Sequence, residues 1–261
     1  MTYIEYRQYM KNFFEQYYHK LSQNEINIKL PLKDKEKEMW SDDADPEKEW
    51  KKWKMIPADI KEEEIDELER KIGVKLPLSL KAFLTVYHHY FEIPIGRNSL
   101  SKHFEGIQSA WNPVLVKCGY LPFTWDREMY FIRCIRLKEM PDEEKCGIYQ
   151  IDHETLFDFD EETVTPKEID ENMKFVSQNL LTYLDEILND KDPESMQKAA
   201  KEAVVNVLRD KCKIMDYDGL VDKMETDPDS VYEALVPVQE QYSLTDDDVE
   251  GIFDMLEYDF E

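Results

Sequence analysis

The chain has 261 residues, 42% hydrophobic and 12% aromatic, enough for one large core or two modest ones. Asp and Glu number 58 against 33 Lys and Arg. The resulting formal net charge of −25 favours solubility, opposes binding to nucleic acid or anionic membrane, and steers basic proteins toward the surface.

The four cysteines, Cys118, Cys134, Cys146 and Cys212, show no C-x-x-C spacing, which gives no support to a zinc or redox centre. The start is amphipathic rather than continuously apolar, and no run approaches a membrane span. A cytoplasmic protein with free thiols is expected.

Residues Tyr3 to Leu21 carry aromatics at spacings of three and four, which predicts a helix with a broad apolar face. Lys33 to Lys54 is mainly charged, contains Pro46, and reads as a connector. Trp50 and Trp53 stand one helical turn apart near its end and are expected to pack on a core.

An acidic amphipathic helix then places Ile65, Leu68 and Ile72 on one face. Gly73 suits a left-handed helix end, and Pro77 suits the start of the next helix. That second helix is predicted to carry Leu80, Phe83, Leu84, Tyr87 and Phe91 along one stripe. Both apolar faces turn the same way and need a sheet or further helices beneath them.

Five short runs read as antiparallel strands: Val114–Lys117, Tyr120–Thr124, Met129–Ile135, Gly147–Ile151 and Thr155–Phe159. In the last, Leu156, Asp158 and Asp160 are expected on one face and Phe157 with Phe159 on the other, leaving a partly acidic, wet sheet surface. Met173 to Leu188 reads as a helix, broken by residues 189–193. Helices follow at Ser195–Leu208, Gly219–Glu225, Ser230–Gln239 and Asp246–Leu256, with Thr245 as a cap. From Lys191 onward there are 7 basic and 20 acidic residues, a net of −13, about half of the total charge. A separate helical module is expected there.

The order of these elements, with four local signatures, resembles the SUKH superfamily of fungal cell-wall-synthesis regulators and bacterial toxin-immunity proteins. The first is a Trp-bearing helix at Trp50 and Trp53. The second is the helix–corner–helix pattern of Leu68, Gly73, Leu76, Pro77, Leu80, Phe83 and Leu84. The third is the strand pair Leu121-Pro122-Phe123-Thr124-Trp125-Asp126 and Met129-Tyr130-Phe131, whose turn lacks the glycine usual in the family. The fourth is the strand end His153-Glu154 with a closing helix near Phe175.

The resemblance implies an α+β domain: a twisted antiparallel sheet with helices packed on one side, here with an appended C-terminal helical module. It divides the chain into residues 1–49, a SUKH-like domain at 50–190 and a module at 191–261. Gly73 and Pro77 would fix the corner, and Leu76, Phe83 and Leu84 would fill the core. Family function lies in binding, so the resemblance transfers no catalytic residue.

Chemistry is sparse in the sequence. His88 and His89 are adjacent and on a helix would point about 100° apart, which argues against a shared metal. His153 and Glu154 read as a strand-end pair rather than acid–base equipment. No nucleotide loop or zincin pattern occurs, and the Asp-rich stretches near 216–218 and 245–248 do not fit a calcium loop. No enzyme activity, cofactor or metal is expected.

The acidic residues Asp126, Glu128, Asp142, Glu143, Glu144, Asp158, Asp160, Glu161 and Glu162 are the candidate partner contacts. The expected partner is a basic toxin domain, such as a nuclease, neutralised by occlusion and charge complementarity. The alternative is an intracellular scaffold like the fungal members.

Overall fold

The computed structural model describes residues 1–92, 94–191 and 193–259, so Asp192 of the expected helix break lies outside it. Two compact units are present, Met1–Asn189 and Asp190–Glu261. The first 49 residues, set apart in the sequence reading, pack into the first unit.

The first helix, α1 (Tyr3–Ser22), opens on a capping box in which Thr2 and Glu5 satisfy each other's backbone N–H groups. It buries Tyr6, Met10, Phe13, Phe14 and Tyr17. The connector is more ordered than its charge suggests. Strands β1 (Lys29–Leu30) and β2 (Lys51–Lys52) pair antiparallel, and Trp40 bridges Trp53. The Trp50–Trp53 segment is therefore extended rather than helical. Alternation then sends Trp53 into the core against Tyr18, Tyr90 and Phe91 and leaves Trp50 exposed.

Strand β3 (Ile56–Pro57) leads into α2 (Glu62–Ile72), which buries Ile65, Leu68 and Ile72. Gly73 ends it at φ +79°, with its N–H bonded to the Glu69 carbonyl. The corner is pinned by the nearly buried Glu69. Its carboxylate accepts from the Leu76 N–H at 2.9 Å, from Lys81 at 2.6 Å and from Lys75 at 2.5 Å. Pro77 is the residue before α3 (Leu78–Val86), which buries Leu80, Phe83 and Leu84. The predicted stripe is cut short. Tyr87 and His88 form β4, which pairs antiparallel with β3, because the short extended ladder replaces the helical bonds beyond Val86.

After β4 come α4 (Glu105–Ala110) and α5 (Pro113–Lys117). The run expected as a strand at Val114–Lys117 is α5. Asn112 caps the Val114 N–H, and Pro113 occupies the first helical turn, so local capping outweighs the β-branched composition. The central sheet has the order β5 (Tyr120–Trp125), β6 (Phe131–Arg136), β7 (Ile148–Asp152) and β8 (Lys174–Ser177), all antiparallel. Pro122 sits on the edge strand β5, beside a bulge.

Two further assignments change. Thr155–Asp158 is a 3₁₀ turn, so the expected alternation of Leu156 with Asp158 and Asp160 does not exist. The predicted helix start at Met173 is instead β8, because Phe175 and Lys174 pair with Tyr149 and Gln150. Between β7 and β8 lies α6 (Pro166–Asn172), and after β8 comes α7 (Leu180–Leu188), capped by Asn179.

The resulting fold is α+β. One sheet face presents Leu121, Phe123, Ile135 and Ile148 to α1, α2, α3 and α7. Arg133, fully buried on this side, donates to the Tyr183 hydroxyl of α7 at 2.8 Å. The other face carries Tyr120, Ile132, Cys134 and Ile151, covered by a smaller cluster from α5, α6 and Leu156.

The second unit is helical: α8 (Pro193–Val207), a π turn (Leu208–Cys212), α9 (Tyr217–Thr226), α10 (Pro228–Tyr242) and α11 (Asp246–Asp259). It has its own core, including Val204, Leu208, Leu220, Val231, Leu235, Val249, Ile252 and Leu256. Its Asp-rich stretches are helix caps. Asp216 accepts from the Gly219 N–H, and Asp248 and Thr245 form a reciprocal box. Among the described residues, no helix is long and apolar enough to cross a membrane.

Candidate protein-docking surface

At one end of the sheet, the β5–β6 turn and the segment after β7 meet. Asp126 closes the turn: its carboxylate accepts from the Phe131 N–H at 2.8 Å, and its own N–H donates to the Phe131 carbonyl at 2.9 Å. Met129 takes φ +62° in the position where a glycine would cost nothing. The turn projects Met129 and Tyr130 into solvent, 54% and 58% exposed.

Beside it, His153 is fixed by Tyr130. The Tyr130 carbonyl accepts from both the backbone N–H and Nδ1 of His153, at 3.0 and 2.9 Å. The His153 ring lies edge-on between Trp125, 5.7 Å away, and Phe157, 6.5 Å away. Leu156 anchors the 3₁₀ turn from below while Phe157 stands 83% exposed. The two segments, joined through His153, form a ridge whose exposed apolar side chains are Met129, Tyr130 and Phe157, with the exposed Glu128, Glu154 and Asp158 near them in the chain. Soluble proteins rarely leave large aromatics clustered in water without a partner to cover them. A groove of about 320 Å³ runs alongside, lined by Arg97, Glu105, Thr124, Trp125 and Met129. There α4 comes very close: a Cβ on Gly106 would stand 3.2 Å from the Phe123 carbonyl oxygen and 3.3 Å from the Gly96 Cα.

The acidic candidates fall into different environments. Glu128 and Asp158 border the ridge. Asp160, Glu161 and Glu162 lie on the exposed loop that follows, which Lys117 ties down by donating to the carbonyls of Glu161 and Glu162. Asp142 pairs with Lys145 at 2.8 Å, and Glu144 is exposed. Asp126 is buried in the turn. Glu143 reaches across to α3, where its two oxygens accept from the Leu78 and Ser79 N–H groups at 2.6 and 2.9 Å and cap that helix from a distance. The framework residues Trp53, Leu76, Phe83 and Leu84 are buried, Gly73 and Pro77 shape the corner, and Trp125 and His153 lie under the ridge.

Sequence reasoning passed over Met129, Tyr130 and Phe157 because exposed and buried aromatics look alike in a strand pattern. The usable signal was the glycine-free turn Asp126-Arg127-Glu128-Met129. It also missed a convergence of Asp59, His88 and His103, whose ligand atoms all lie within 4.8 Å of one another. His89, by contrast, points into the aromatic core between Phe14 and Phe91, so the two adjacent histidines do not share a site.

Residues 59–186 match the sequence model of the SMI1 / KNR4 family (SUKH-1). No curated protein and no solved structure matched the chain. The matched span runs from just before α2 to the last turn of α7, taking in the pinned corner, all four strands of the central sheet and the exposed ridge: this segment is a SUKH-1 domain of the SMI1 / KNR4 family.

Proposed function

We propose that the protein is an immunity protein that binds a cognate toxin domain of basic surface and neutralises it by occlusion. The observation that carries this reading is the exposed Met129–Tyr130–Phe157 ridge with carboxylates at its rim. Interfaces concentrate their energy in a few aromatic and large apolar anchors, while rim charges set on-rate and partner choice. A surplus of 25 negative charges adds long-range attraction for a basic partner. In this reading Met129, Tyr130 and Phe157 are anchors. Glu128, Asp158, Asp160, Glu161 and Glu162 steer, while Asp126 and Glu143 hold backbone in place.

The test is titration of the full chain against the toxin domain encoded by the adjacent gene. Toxin activity should fall to zero at equimolar protein, and the association rate should drop as salt rises. Full toxin activity at excess protein overturns the proposal. A second reading, an intracellular scaffold, is favoured by the C-terminal unit, whose separate core lies outside the matched residues and offers a second surface.

A further inference from the structure

His88 is fully buried, and both of its ring nitrogens face acceptors. Nδ1 lies 3.3 Å from the Asn98 carbonyl oxygen, and Nε2 lies 2.9 Å from Asp59 Oδ1. A neutral imidazole has one N–H. With Nδ1–H directed at the Asn98 carbonyl, Nε2 presents its lone pair toward the Asp59 carboxylate, and the donor that faces it is the Asp59 backbone N–H at a long 3.5 Å. Two electron-rich ligand atoms thus converge on one point, and a third comes from the neighbouring ring. His103 stacks on His88 with centroids 4.9 Å apart, and its Nδ1 faces Glu64 Oε1 at 2.9 Å. The ligand atoms of Asp59, His88 and His103 all lie within 4.8 Å of one another, a spacing that one cation can bridge.

We propose that Asp59, His88 and His103 bind a divalent transition-metal ion of the zinc class. Asp59 supplies a carboxylate oxygen, His88 its Nε2, and His103 the nitrogen that Glu64 leaves free. Two imidazoles and a carboxylate form a familiar three-ligand set for zinc. Each imidazole is oriented through its other nitrogen, by the Asn98 carbonyl or by Glu64, as metal-bound histidines regularly are. The fold fixes these positions in advance. Pairing of β3 with β4 brings Asp59 beside His88. Asn98, itself buried, donates to the Leu84 and Tyr87 carbonyls and accepts from the Phe104 N–H, which clamps the loop bearing His103. His103 and Glu64 line a cleft of about 710 Å³, which leaves the fourth position open to water or a partner's side chain.

The test is equilibrium dialysis of the full chain against Zn²⁺ followed by metal analysis. One zinc per chain is expected. His103→Ala and Asp59→Asn, both at accessible positions, should weaken binding more than 100-fold while circular dichroism shows an intact fold. Glu64→Gln should weaken it 10- to 100-fold, as loss of an orienting partner does. His19→Ala should have no effect. Absence of stoichiometric zinc, or equal affinity in the Asp59→Asn/His103→Ala double variant, overturns the assignment.

Discussion

Two sharp reversals in the first unit, the Gly73–Pro77 corner and the Trp125–Phe131 turn, solve the same problem in opposite ways. Each needs a residue in the left-handed backbone region. The corner uses Gly73, which adopts φ +79° without strain, and turns its acid inward: Glu69 is buried and bonded to a backbone N–H and two lysines. The sheet-end turn uses Met129 at φ +62° and leaves a large side chain in water. A non-glycine residue there costs roughly 1–2 kcal/mol. The corner is built for stability. The turn instead accepts backbone strain at an exposed side chain, and such strain is frequent at functional sites.

The largest expected effect tests the corner. Glu69→Ala strands the Leu76 N–H and removes the partner of Lys81, so chemical denaturation should report a loss of about 3 kcal/mol. Loss within error of zero would mean that the pin is incidental.

Acid acts on the core beneath the same corner. Burial, with the neighbouring His88, holds the His89 imidazole down to about 3, well under the usual histidine value. Between that value and about 6.5 the unfolded chain binds a proton that the native protein refuses. Stability therefore falls on acidification through this window, by up to about 1.4 kcal/mol per pH unit. His89→Phe, placed among Phe14, Phe83 and Phe91, should flatten that slope in pH-dependent melting curves.

Glu69 adds a smaller loss at lower pH. Burial works to raise its pKa, and the bonds from Lys75, Lys81 and the Leu76 N–H overcome it, leaving the value lowered. Its contribution is present above the unfolded carboxyl value and disappears as pH falls through the folded one.

Substituting each left-handed residue sharpens the contrast. Gly73→Ala should destabilise by about 1 kcal/mol because no alanine fits φ +79° comfortably. Met129→Gly should do the reverse and raise stability by up to about 1 kcal/mol, while weakening partner binding by tenfold or more. If Met129→Gly left binding unchanged, the turn would be only a tolerated imperfection.

Legibility in the sequence followed how local each determinant was. The acidic helix, its glycine end and the apolar face of α2 are written within a dozen residues, and the structure has them where the pattern puts them. Met173 to Ser177 reads as helix because Val176 and Leu180 share helical spacing. Its strand character comes from pairing with β7, about 25 residues earlier. At Val114–Lys117 the signal was present but outweighed: Asn112-Pro113 is a helix start, and the β-branched run beside it misleads. The Asp59–His88–His103 cluster is gathered from a loop, a short strand and a clamped turn, so no spacing rule reveals it.

The sequence by itself determined the acidic composition, the amphipathic helices, the Gly73–Pro77 corner and the two-part division of charge, because each depends on residue type and short-range period. Only the tertiary structure decided which acids point outward and which cap a distant helix, which aromatics stay wet, and which histidines meet. Those outcomes depend on contacts between segments far apart in the chain, where burial and pairing override local preference.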